Sequence, residues 1–197
     1  HPTHEPVTEA HPRESTRLYG KLKRACEDVA DHYARLYSLD IIALRSGASF
    51  GPGKSGRDEK VSPIMGMIEA AIAGRPFRIE SGGEQCDDLC YAGESANGFI
   101  AALDAVERPG LFRAYNIASG EFISLRQMII ILKDLYPTWS AEAGPGLDYR
   151  RTGSANYFRM STERARAEIG FKPNFDFRRA VVDYSETLGR LKIESSC

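Results

Sequence analysis

Long apolar runs are missing from this chain. The longest are four or five residues, as in Met128 to Leu132, against the roughly 20 that a bilayer-spanning helix needs. Blocks of like charge are missing too: the 26 basic and 27 acidic residues are interspersed, so neither a nucleic-acid track nor a membrane-surface patch is expected. Cysteine is scarce, and Cys26, Cys86, Cys90 and Cys197 make no zinc pattern. Cys86 and Cys90, four apart in a strand-like segment, read as reduced thiols on one face, which suits a cytoplasmic setting. Three of the four histidines fall in the first eleven residues, among prolines, with no spacing that fits a rigid metal site. No leader-like pattern opens the chain. It begins at His1, and the abrupt start suggests a piece of a longer protein.

What is present is a sizeable domain of 197 residues, 42% apolar, in which helices alternate with short strands. From Ser15 to Leu39, the apolar positions Leu18, Leu22, Cys26, Val29, Tyr33 and Leu36 recur every three or four residues, the period of an amphipathic helix. Ile41 to Leu44 reads as a buried strand and Gly51 to Lys60 as a loop. A second helix is expected from Ser62-Pro63 to Gly74, with proline in its first turn. Phe77 to Glu80 and Asp88 to Ala92 read as strands around the turn Ser81-Gly82-Gly83. Glu94 to Val106 is expected to be helical, and Tyr115 to Ile117 a strand. Ser124-Leu125-Arg126-Gln127 is a capping box opening the helix Met128 to Leu135. Ser161 to Ile169 reads as a short helix closed by Gly170, and Asp176 caps a last helix to about Leu188. The alternation implies an α/β fold.

Tyr19 and Lys23 stand one helical turn apart, about 6 Å along the axis, on one face. A free phenol titrates near pH ~10, and a neighbouring ammonium favours the phenolate. Such a pair can take a hydroxyl proton while hydride leaves the same carbon, or return it to a carbonyl. The spacing alone also occurs on ordinary solvated helices.

The surroundings make it specific. Glu9-Ala10-His11-Pro12, Ser15, Tyr19-Gly20, Lys23 and Glu27 resemble the extended short-chain dehydrogenase/reductases, the NAD-dependent epimerase/dehydratase family. Further matches follow in order: Leu44-Arg45 with Phe50-Gly51-Pro52; Gln85, Asp88, Tyr91 and Glu94; Tyr115 to Glu121 followed by Ser124-Leu125; and Ile169-Gly170-Phe171-Lys172-Pro173. Together they cover nearly the whole chain. The resemblance implies the C-terminal part of a Rossmann-type doubly wound sheet plus a small α/β substrate-binding lobe. Residues 1–51 would carry the end of the Rossmann domain and its catalytic helix. Residues 52–197 would be mainly the lobe, with some segments returning to the Rossmann domain. Tyr19 is then the general acid/base, and Lys23 bonds the nicotinamide ribose. The backbone of Ser46, Gly47 and Ala48 faces the nicotinamide of NAD or NADP, and Arg151 and Asp87 lie toward a small-molecule substrate. Many relatives dimerise through the Tyr19 helix, so a homodimer is expected.

The family's early elements are not read here. The glycine loop that seats a pyrophosphate after an apolar strand, carried by family members near their N-terminus, is expected to be absent, and Gly51-Pro52 is taken as the family's turn. The hydroxyl residue expected beside Tyr19 should precede His1, since Thr3 and Thr8 lack the strand it follows. A missing N-terminal half, or a complementing chain, is therefore expected, with the chain inactive alone. Substrate contacts also depart from the pattern. Ala48 replaces an asparagine that sugar-nucleotide enzymes often carry, and Asp87 an arginine that meets phosphate, which leans toward a smaller sugar acid, polyol or carbonyl compound. Gly51-Pro52-Gly53-Lys54-Ser55 ends like a P-loop, but Ala48 stands where that motif needs glycine, and a loop follows where it needs a helix.

Overall fold

A computed structural model describes residues 4–52, 63–151, 153 and 158–191. Thr3, most of the Gly51–Lys60 loop with Lys54 and Ser55, Ser62, Thr152 and Cys197 lie outside them.

The chain forms α1 (Leu18–Tyr37), β1 (Ile41–Ser46), β2 (Ala48–Phe50), α2 (Pro63–Ile72), β3 (Phe77–Ile79), β4 (Cys86–Tyr91) and α3 (Ala92–Leu103). There follow β5 (Phe112–Ile117), β6 (Phe122–Ser124), α4 (Leu125–Leu135), β7 (Ala141–Ala143), α5 (Glu163–Ile169) and α6 (Phe177–Leu191). β1 and β5 pair in parallel, with Ile41 opposite Phe112 and Ser46 opposite Ile117. β4 lies between β2, parallel to it, and β6, antiparallel; β3 pairs with β7 in parallel.

Alternation along β1 and β5 explains what covers each face. Ile42, Leu44, Tyr115 and Ile117 point one way, into a cluster with Cys90, Ala165, Ile169 and Phe171 from β4, α5 and the segment after α5. Arg45 and Asn116, which are register partners, point the other way, toward α1 and the segment before it. A larger core holds the lobe together: Ile64, Met67 and Ile68 of α2 meet Leu125, Met128 and Leu132 of α4 and Val181, Tyr184 and Leu188 of α6.

Local signals account for the helix ends. Ser124 and Gln127 form both bonds of the capping box, and α4 starts directly after Ser124 rather than at Met128. Gly170 closes α5 in the left-handed region, φ 69°. Asp176 accepts a hydrogen bond from the Arg179 N–H at 2.7 Å, the N-cap of α6.

One expectation is corrected, and one feature of α1 is new. β3 and β4, read as strands around one turn, belong to different sheets, because β3 finds its partner in the short β7 and β4 in β2 and β6. The apolar stripe of α1 faces outward: Leu18, Leu22, Val29, Tyr33 and Leu36 are 49–71% exposed. Only Ala34 of α1 is fully buried. Among the described residues no strand pairs with the outer edge of β1, and no helix is long and apolar enough to cross a membrane.

Candidate active site

Ser38 adopts the left-handed region, φ 53°, and with Leu39 and Asp40 turns the chain from α1 back into β1. The start of α1 therefore lies beside the end of β1. This places Tyr19, Lys23 and Ser46 to Ala48 at the carboxyl end of the parallel β1–β5 pair, where open α/β sheets bind ligands.

Tyr19 is 73% exposed, and the Lys23 ammonium stands 5.6 Å from the centroid of its ring. Ser46 ends β1, its Oγ 3.2 Å from that of Ser49. Gly47 links β1 to β2 and donates to the Ile117 carbonyl at 2.9 Å. A Cβ there would come within 2.6 Å of the Asp88 carbonyl oxygen, so only glycine lets the strand cross from one sheet to the next. Ala48, half-buried, begins β2.

Arg151 and Asp87 are not brought together. Arg151 lies on the surface at φ 51°, paired with Glu80. Asp87 has no exposed surface and accepts the hydroxyl of Tyr149. Burial pushes its carboxyl up to about 6, against the pull of nearby Arg150. Contact between Asp87 and a ligand would require Tyr149 to move away. Asp88, on the opposite face of β4, accepts the Met160 N–H at 2.8 Å and is also pushed up to about 6 by burial.

Sequence reasoning matched Glu9, Glu27 and Arg45 to the family but assigned them no role. The structure joins them: Arg45 forks onto Glu27 and reaches the Glu9 carbonyl, while Glu9 accepts the Asn116 N–H. The Arg45 hydrogen bond chiefly holds the Glu27 carboxyl below its usual range. Other buried polar partners had no sequence signal, since Tyr184 reaches Glu69 across 115 positions and Tyr91 reaches Asp183 across 92. The thiols are subdued: burial pushes Cys90 up to about 11 and raises Cys86. Among the described residues no cluster of three histidine, cysteine, aspartate or glutamate side chains could hold a metal.

The exposed phenol and ammonium, with bare backbone at Gly47, suit the nicotinamide and ribose of a dinucleotide. A pyrophosphate seat is not formed by the described residues. Gly51, Gly53 and Gly56 do have the spacing G-x-G-x-x-G, but Gly53 and Gly56 lie outside the described residues.

Known proteins resemble this chain in sequence and fold. The model of the NAD dependent epimerase/dehydratase family matches residues 1–118. UDP-glucuronate 4-epimerase 5 of Arabidopsis thaliana is 25% identical over 81% of this chain and 38% of its own length. The crystal structure of a UDP-glucose 4-epimerase from Thermotoga maritima, with UDP-glucose, superimposes with a TM-score of 0.76 at 18% identity, covering 95% of this chain and 58% of that one. A UDP-glucose 4-epimerase of Thermus thermophilus in complex with NAD gives 0.72 at 22% identity, over 94% and 59%. The chain spans about half the length of the curated relatives it matches.

Proposed function

Because this chain belongs to the NAD dependent epimerase/dehydratase family, we propose that it supplies the acid–base half of an NAD-dependent oxidoreductase acting on a sugar or sugar-derived hydroxyl or carbonyl compound. The observation that carries this reading is the exposed Tyr19 with Lys23 beside it, at the carboxyl end of β1 and β5.

Bound NAD would supply the hydride acceptor. Tyr19 then takes the hydroxyl proton as the C–H hydrogen leaves as hydride, making a carbonyl. In the reverse step Tyr19 returns the proton to the carbonyl oxygen. Lys23 keeps positive charge beside the phenolic oxygen and holds the ribose, while the backbone of Ser46 to Ala48 lines the nicotinamide. Arg151 contributes to substrate binding by exchanging Glu80 for an anionic group, and Asp87 acts through Tyr149 and Arg150 rather than by touching the ligand. Residues 1–51 belong with the dinucleotide-binding body and most of 52–197 with the substrate lobe.

Two surfaces left uncovered by the described residues support a larger assembly. The outer edge of β1 has room for a strand from a dinucleotide-binding half. The outward stripe of α1 fits a second copy of the same helix, giving a homodimer. The test is product analysis by NMR with the assembled protein and NAD. Its panel contains UDP-glucose, UDP-glucuronate, galacturonate and free galactose. Interconversion or oxidation of any one supports the reading. A complete protein that binds NAD yet changes none of them contradicts it.

A further inference from the structure

Helix α1 is held mainly by charge. It buries a single side chain fully, so apolar packing does little to fix its rotation. Just beyond the turns that carry Tyr19 and Lys23, guanidiniums grip it instead, and the one that ties it to the sheet is Arg45. Arg45, on β1, donates Nε to Glu27 Oε1 at 2.9 Å and Nη2 to Oε2 at 2.6 Å, and its Nη1 reaches the Glu9 carbonyl at 3.1 Å. Glu27 also accepts from Arg13 at 2.7 Å, and Arg13 holds Asp28 at 2.9 Å. Glu9 accepts the Asn116 N–H at 2.8 Å, and the Asn116 side chain donates to the Val7 carbonyl at 3.0 Å. Helix, both strands of the sheet, and the segment before the helix meet at Arg45. That segment lies so close to α1 that a side chain at Gly20 would collide with Ser15.

We infer that Arg45 is a positioning residue for the Tyr19/Lys23 pair, setting the rotation of α1 through Glu27 and the carbonyl of Glu9. The inference rests on the acid–base role proposed for Tyr19. Glu27 lies one turn beyond Lys23 and two beyond Tyr19, about 6 and 12 Å along the axis. A phenolic oxygen stands roughly 9 Å from the helix axis, so a rotation of about 10° moves it by about 1.5 Å. Misplacement of a reacting group by about 1 Å costs on the order of 100-fold in rate. Lysine at 45 would keep the charge, but its donors sit on one nitrogen and lack the planar fork that meets both Glu27 oxygens side by side while another nitrogen reaches the Glu9 carbonyl.

The test compares Arg45→Lys and Arg45→Gln with the parent chain by backbone hydrogen exchange. Segment 18–26 reports on the pair, and α6 serves as the internal control. Exchange in 18–26 is expected to quicken about 10-fold or more in both variants, with α6 within about two-fold. Unchanged exchange in 18–26, or an equal rise in α6, overturns the inference. In the NAD-loaded assembly with UDP-glucose as probe, both variants should lower kcat about 100-fold and leave KM within about three-fold. Loss of turnover in Tyr19→Phe, with turnover kept in both Arg45 variants, refutes the positioning role alone. Turnover kept in Tyr19→Phe refutes the acid–base reading on which it rests. If UDP-glucose is not turned over, the exchange result decides.

Discussion

Replacing Asp87 by asparagine should change the pH dependence of stability more than stability itself. The carboxyl is fully buried, and burial raises it from 3.8 to about 6. A group raised in the folded state stabilises the fold below its unfolded value and loses that contribution as pH climbs through its folded value. The window here runs from about 4 to about 6. A shift of about two units corresponds to roughly 3 kcal/mol at most, lost by the parent across that window. Asparagine keeps an oxygen for the Tyr149 hydroxyl and places its NH₂ where Asp87 Oδ1 has no hydrogen-bond partner. Near pH ~4 the variant should match the parent within about 1 kcal/mol, and near pH ~7.5 it should be more stable by about 2 to 3. Asp88, also at about 6, and the lowered Glu27 and Glu168 titrate in both proteins and cancel in the difference. The assay is urea unfolding at several pH values between about 4 and 8. A gap between the two proteins that stays constant with pH would refute the reasoning.

Three further outcomes are expected. The isolated chain should bind NAD no better than weakly, because the described residues offer no pyrophosphate seat; micromolar affinity by calorimetry would contradict this. Leu22→Glu with Tyr33→Glu should weaken self-association at least about 10-fold in sedimentation while leaving the unfolding midpoint nearly unchanged, and unaltered association would exclude α1 as the dimer surface. Gly47→Ala should cost about 2 kcal/mol or more, because its Cβ would overlap the Asp88 carbonyl; an unchanged urea midpoint would show that the strand crossing relaxes freely.

The features that could be read in advance were those written in local chemistry. Ser124 and Gln127 cap α4 within four residues, and Gly170 stops α5 where a left-handed residue is needed. Tyr19 and Lys23 share a face because helical periodicity puts them there. Pairings between distant segments could not be read in this way. β7 is only Ala141-Glu142-Ala143, too short and mixed to announce a strand, yet it is what separates β3 from β4. Tyr149 and Asp87 lie 62 positions apart, so the acid that replaces an expected arginine could be named but not seen to be covered. Periodicity gives the α1 stripe its spacing and not its direction, which follows from Arg45, on the adjoining strand, binding the helix by its polar side.

The most direct measurement follows nicotinamide absorbance through a single turnover in the NAD-loaded assembly containing this chain, comparing the parent with Tyr19→Phe on whichever compound of the NMR panel reacts. Phenylalanine keeps the ring and removes only the oxygen that moves the proton. The account predicts a rate lowered by about 100- to 10,000-fold, with NAD affinity and unfolding midpoint unchanged. A rate within a few-fold of the parent would contradict it and leave Tyr19 as no more than an exposed ring on α1.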